Sequence, residues 1–186
     1  AIAILDHFEV ENADFIGLSL GGMTGLGLGL NNRERFNKIV CACARADAPA
    51  PFASSWDDRI AAIASGGLAA IWPGTLERWL TPEFGDNNAE RIEALAADFL
   101  ATTPGGYSGC AVALKSLDYL RRLGDMAVPV LYISGAQDMG APSGVMQAMA
   151  KATPASEYQD IPDCVHIANL NQEAAFNRAL KMFLEF

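Results

Sequence analysis

The sequence predicts an α/β fold: a mostly parallel sheet with an inserted segment of helices. Three observations predict it. "VPVLYISG" at 128–135 is an unbroken apolar run, the kind of strand that is buried on both faces of a parallel sheet. Other short strand patterns are separated by helical periodicities, which is the signature of βαβ units. Finally, about 75 residues between two of these strands carry helical patterns and no strand. A plain connection is far shorter, so this stretch reads as an insertion.

In chain order, 2–9 reads as the end of an amphipathic helix. Residues 15–18 form a short apolar strand that enters a Gly-rich turn, and 20–31 form a helix. That helix contains Gly25, Gly27 and Gly29, each costing about 1 kcal/mol in propensity. Glycines there allow a helix to close tightly on a sheet. Asn31 and Asn32 end the helix, and "RFNKIVCACA" gives a β-branched strand near 37–44. Helical patterns follow near 55–65, 75–81, 88–101 and 108–123, punctuated by Pro51, Pro73, Pro82 and Pro104. After the strand at 128–135 come a helix at 142–152, a strand at 156–161 ("SEYQDI") and a last amphipathic helix at 172–186. The last helix has Ala175, Phe176, Leu180, Phe183 and Leu184 on one side. The division is therefore a core section 1–47, a helical cap 48–124 and a second core section 125–186.

Composition narrows the function. The chain has 186 residues, 51% hydrophobic and 19% charged, enough for a real core. Its 22 acidic residues outnumber 13 basic ones for a net charge of −9. That argues against nucleic acid, which requires a basic face. No apolar run reaches the eighteen or so residues that cross a bilayer, and "AIAILDHFEVEN" lacks the basic start of a secretory leader. A cytoplasmic protein is expected. Cys41, Cys43, Cys110 and Cys164 are scattered, without metal-site spacing, and are expected as buried free thiols. "GLGLGL" is not a dinucleotide fingerprint, since Leu30 stands where the third glycine belongs. With no P-loop and no HExxH, neither a cofactor nor a metal is expected.

One motif carries chemistry. Gly17-Leu18-Ser19-Leu20-Gly21 is G-x-S-x-G, placed between an apolar strand and a helix. A serine in so sharp a turn takes a strained backbone, and side chains two positions to either side are expected to collide. The hydroxyl stands clear of the sheet, and the helix N-terminus below it offers backbone N–H groups to developing negative charge. A base is needed. His7 precedes the motif and reads as a surface residue. His166 follows the last strand, at the sheet edge where Ser19 emerges. Asp138, a few residues past the penultimate strand, is the reading for the carboxylate that orients it. Asp47, after the 37–44 strand, is the competing acid. Asp163 is too near His166 in sequence to reach around its ring.

"NADFIGLSLGGMTGLGLGLNNRERFNKIVCAC" closely resembles the nucleophile region of α/β-hydrolases. "WDDRIAAIASGGLAAIWPGTLERWLTPEF", "TTPGGYSGCAVAL", "VPVLYISGAQD" and "HIANLNQEAAFNRAL" are similar to 3-oxoadipate enol-lactonases in particular. The resemblance covers nearly the whole chain. It implies hydrolysis of a small enol-lactone in aromatic catabolism, with Ser19 as nucleophile, His166 as base, Asp138 as acid and the Leu20 N–H as one oxyanion donor.

It also implies a front section of several strands, with an H-G-type loop carrying the second oxyanion donor. These residues do not include it. The expectation is that the strand carrying Ser19 has a bare edge, covered by that section or by a neighbouring chain. A substrate carboxylate calls for a cation, for which Arg59, Arg78, Arg121 and Arg122 are candidates. Trp72, Trp79 and Tyr107 are candidates to line an apolar pocket or to pack the cap. The competing expectations are a carboxylesterase or C–C bond hydrolase with the same triad, and a non-catalytic binding protein of the same fold.

Overall fold

Four strands lie side by side in sequence order: β1 (Ala13–Leu18), β2 (Phe36–Ala42), β3 (Val130–Gly135) and β4 (Ser156–Ile161). All three pairings are parallel, with Gly17 opposite Cys41, Cys41 opposite Tyr132, and Tyr132 opposite Tyr158. The computed structural model describes residues 1–185, so position 186 of the expected last helix lies outside the described residues. Two compact units emerge: a sheet unit, Ala1–Ala46 with the chain from Tyr119 onward, and a helical unit, Asp47–Asp118. The 3₁₀ helix Leu120–Asp125 lies in the sheet unit.

The sheet unit follows from its strand sequences. Every residue of β3 is buried, as a central parallel strand requires. Val40, Ala42, Leu131, Ile133 and Ile161 form one core with Phe176 and Phe183 of the last helix, Glu173–Leu184. Each of these side chains larger than alanine contributes about 1.5–3 kcal/mol by leaving water. The buried Tyr132 is satisfied through its hydroxyl, 2.8 Å from Thr153 Oγ1. The helix α2 (Leu20–Asn31) lies against β1 and β2. A Cβ at Gly29 would lie 2.5 Å from Ile39 Cδ1, and one at Gly25 would lie 3.0 Å from the Phe15 ring, so the glycines set the closeness of this layer. The helix α8 (Ser143–Ala152) packs on β3 and β4. The short helix α1 (Ile2–His7) buries no residue, and His7 is exposed. Among the described residues β1 is paired along one edge only, and its Ile16 is 50% exposed.

The helical unit holds α3 (Ala50–Gly66), α4 (Trp72–Trp79), α5 (Pro82–Asn87), α6 (Ala89–Ala101) and α7 (Pro104–Lys115). Pro51, Pro73, Pro82 and Pro104 each sit in the first turn of one of these helices, where a missing N–H costs nothing. The hydroxyls of Thr81 and Thr103 cap α5 and α7 by accepting from the Phe84 and Gly106 amides. Ile63, Leu68, Ile71 and Phe99 form this unit's own core.

Several expectations are corrected. The helix expected over 108–123 stops at Lys115, because Asp118 forms a bridge with Asp47, and Tyr119 and Leu120 both donate to the Ala46 carbonyl. The strand near 37–44 ends at Ala42, where Cys43 turns off it with φ 47°. Cys110 is exposed, unlike the other three thiols. Arg121 and Arg122 belong to the sheet unit, where Arg122 donates to Asn31 Oδ1 at 3.0 Å.

Candidate active site

Ser19 sits between the end of β1 and the first residue of α2, with φ 55° and ψ −117°. That conformation costs about 1–3 kcal/mol and is sustained only by strong surroundings. Here the surroundings are the Ser19 amide donating to Ala42 O at 2.8 Å and the Ser19 carbonyl accepting from Met23 N at 3.0 Å. The steric reason for the flanking glycines is one-sided. A Cβ on Gly17 would lie 2.2 Å from the Gly21 backbone, whereas a Cβ on Gly21 would meet nothing within 4 Å. The expectation of a clash at both positions is therefore corrected: the crowding is at position 17. Leu20 opens α2, so its N–H is among the first-turn amides that have no acceptor within the helix.

The three residues singled out from the sequence meet. His166 Nε2 lies 2.8 Å from Ser19 Oγ, and His166 Nδ1 lies 2.7 Å from Asp138 Oδ2. A carboxylate only accepts, so Nδ1 donates to Asp138 and Nε2 is left free to accept the Ser19 proton. Asp138 is 3% exposed. Its other oxygen, Oδ1, accepts from the Gly140 amide at 2.8 Å and the Ala141 amide at 3.1 Å. The competing acid, Asp47, is in the helical unit, bridged to Asp118.

The histidine loop and the acid loop are fastened to each other. Ala136 N donates to Ile161 O and Gln137 N donates to Cys164 O, both at 2.9 Å. Val165 N donates to Asn171 Oδ1 at 2.9 Å, and Gln172 Nε2 donates to the carbonyl of Asp163, which lies in the left-handed region at φ 50°. Cys43 and Cys164 lie close enough to feel the Asp138 charge. Burial first, and that charge second, push both thiols up to about 12. A raised thiol is an inert one.

Trp72, Trp79 and Tyr107 gather around Phe99, with ring centroids 5.2, 5.5 and 6.0 Å away. All three pack against the core of the helical unit. Arg78 is exposed and donates to Thr75 Oγ1 at 3.1 Å, while Arg59 stacks over the Trp56 ring at 4.2 Å. Sequence reasoning missed Gly135, Ser134, Asp160 and Asn171, which hold the loops. The only signal for Ser134, Gly135 and Asp160 was position, at or next to the ends of β3 and β4; Asn171 closes the short helix Ala168–Asn171 and carried none. Among the described residues no group of three His, Cys, Asp or Glu is placed to hold a metal ion, and no helix is long and apolar enough to cross a membrane.

A parallel sheet with a serine on a strand-to-helix turn, and an acid and a histidine on later loops, defines a class. The chain belongs to the α/β hydrolase fold family, whose sequence model matches residues 1–172. Within it the chain is similar to 3-oxoadipate enol-lactonase 2 of Acinetobacter baylyi, at 33% identity over 99% of this chain and 68% of that protein. Similarity to 3-oxoadipate enol-lactonase 1 of the same organism is 29%, over 98% of this chain and 67% of that protein. The crystal structure of the enol-lactonase from Burkholderia xenovorans LB400 superposes with a TM-score of 0.93 and 26% identity. It matches 100% of this chain and 70% of its own.

Proposed function

We propose that this protein is a serine hydrolase that opens a small lactone or ester, 3-oxoadipate enol-lactone foremost, through an acyl-enzyme. The observation that carries the reading is the unbroken relay Ser19–His166–Asp138, with contacts of 2.8 and 2.7 Å. His166 Nε2 takes the Ser19 proton as Oγ attacks the carbonyl carbon. The resulting oxyanion is met by the Leu20 N–H, an interaction worth about 3 kcal/mol. Collapse breaks the C–O bond of the ring, and the leaving enol oxygen, still tethered to the acyl group, is protonated by the imidazolium. His166 then removes a proton from water as it attacks the acyl carbon, and the imidazolium returns that proton to Ser19 Oγ as the acyl–oxygen bond breaks. Asp138 holds the imidazole in the Nδ1–H tautomer throughout. The substrate is proposed from the similarity to enol-lactonases. The exposed Ile16 edge of β1 takes a further strand, from a preceding section or a neighbouring chain. The proposed setting is cytoplasmic catabolism of aromatic compounds.

Ser19→Ala tests the reading. It should abolish turnover of enol-lactone while leaving the melting transition in place, and it should abolish labelling by a fluorophosphonate; full activity in the variant refutes the nucleophile. A panel of enol-lactone against p-nitrophenyl esters separates a lactonase from a general carboxylesterase. A wild-type protein that neither turns over nor becomes labelled is a binding protein.

A further inference from the structure

The loop that carries Asp138 leaves the sheet at Gly135, the last residue of β3, and re-enters regular structure at Ser143, the first residue of α8. Both ends are tied to one atom on the neighbouring strand. Asp160 Oδ1, on β4, accepts from Ser134 Oγ at 2.5 Å and from Ser143 Oγ at 2.7 Å. Ser134 is fully buried and stands opposite Asp160 in the β3–β4 register. Its single proton goes to Asp160, so it accepts from Tyr158 OH at 2.8 Å, which adds a third side chain to the cluster.

Inside the loop Asp138 is already rigid relative to its neighbours, through the Gly140 and Ala141 amides. Rigidity within a loop does not fix the loop as a body. Its orientation toward His166 is set by the Ala136 and Gln137 amides that bind the histidine loop and by its junctions with β3 and α8, and side chains at both junctions converge on Asp160. The chain leaves this strand at Ile161 and reaches His166 six residues after Asp160. We propose that Asp160 is a positioning residue whose Oδ1 clasps the two ends of the acid loop, holding Asp138 at hydrogen-bond distance from His166. The proposal rests on the Ser19–His166–Asp138 reading above. Both serine hydroxyls go to one oxygen, so the clasp needs an acceptor at that point and not a negative charge. Asparagine can supply it; alanine cannot.

The experiment compares Asp160→Ala, Asp160→Asn and Ser143→Ala in the full chain. Steady-state hydrolysis of p-nitrophenyl butyrate is read together with the downfield proton resonance of the His166 Nδ1–H. Asp160→Ala should lower kcat about tenfold or more with KM within about twofold, because a misplaced catalytic group costs rate and not binding. Its Nδ1–H resonance should broaden through exchange with water. Asp160→Asn should keep both the rate and the resonance. Ser143→Ala should fall between them and add nothing in the Asp160→Ala background, the non-additivity expected of groups sharing one acceptor.

Retention of kcat and of the resonance in Asp160→Ala overturns the clasp. So does an equal loss in Asp160→Asn and Asp160→Ala. If Asp160→Ala does not yield folded protein, the surface change Ser143→Ala decides, and an unaltered rate and resonance there overturn it. A wild-type protein inert toward esters that nonetheless shows the expected resonance pattern removes the hydrolase reading and leaves the clasp standing.

Discussion

Gly135→Ala tests the claim that the histidine loop is held in place by close backbone contact with the end of β3. A Cβ at Gly135 would lie 2.0 Å from Val165 O, 2.8 Å from Cys164 O and 3.0 Å from Val165 C. A Cβ essentially never approaches a backbone oxygen within about 3 Å, so the loop must retreat by about 1 Å. The obstructing atoms are backbone, which no rotamer change relieves. Gly135 is not among the positive-φ residues, so the penalty is one of space and not of backbone conformation.

The retreating segment ends one residue before His166, whose Nε2 lies only 2.8 Å from Ser19 Oγ. A shift of that size breaks the contact, and a misplacement of 1 Å costs about 10²-fold in rate. Overpacking costs about 1–3 kcal/mol. For a domain of this size that lowers the Tm by about 2–12 °C. The assay pairs kcat on p-nitrophenyl butyrate with calorimetry, using Gly124→Ala as the control, since a Cβ there meets nothing within 4 Å. A Gly135→Ala protein with kcat within about threefold of wild type and an unchanged Tm refutes the reasoning, because the loop would then have absorbed the displacement freely.

Asp138→Asn should lower kcat by about 10⁴-fold with little change in fold, because the side chain can bind only one way round. Two backbone amides fix Oδ1 as an acceptor, so the new NH₂ group faces His166 Nδ1 and forces the proton onto Nε2. Near-normal kcat sinks that account. Titration with a chromogenic disulfide should find Cys110 reactive in the native protein and all four thiols reactive in denaturant; rapid native reaction of Cys164 contradicts its burial. The thiols also set an alkaline limit. Cys43 and Cys164 are raised from 9.0 to about 12 by burial and the Asp138 charge, so above about pH 9 the unfolded chain loses protons that the folded chain keeps. Stability from these groups is fully present below pH 9 and declines as pH rises toward 12. Urea midpoints at pH 7.5 and 10.5 measure it, and an equal or higher midpoint at pH 10.5 contradicts the assignment.

Much of this protein was determined by local sequence. The run "VPVLYISG" could be buried only as a central strand, although Val130 and not Val128 begins it, since Pro129 has no N–H for the ladder. The G-x-S-x-G motif carried its own steric argument, and Gly17 bears it out with a 2.2 Å approach to Gly21. The prolines that punctuate the helical patterns fall in first turns, where a fixed φ and a missing N–H are tolerated. Distances across the chain were another matter. Periodicity places His166 and Asp138 at the ends of strands, but no local rule says that an imidazole 147 residues from Ser19 stops 2.8 Å from its hydroxyl. That distance depends on register: Ser134 opposite Asp160, the loops knitted at Gln137 and Cys164, and a glycine at 135 that lets the two backbones touch. The same holds for the truncated α7, which stops where Asp118 finds Asp47 and Tyr119 finds Ala46. Propensity acts between neighbours along the chain; the site is assembled by contacts between residues that propensity never compares.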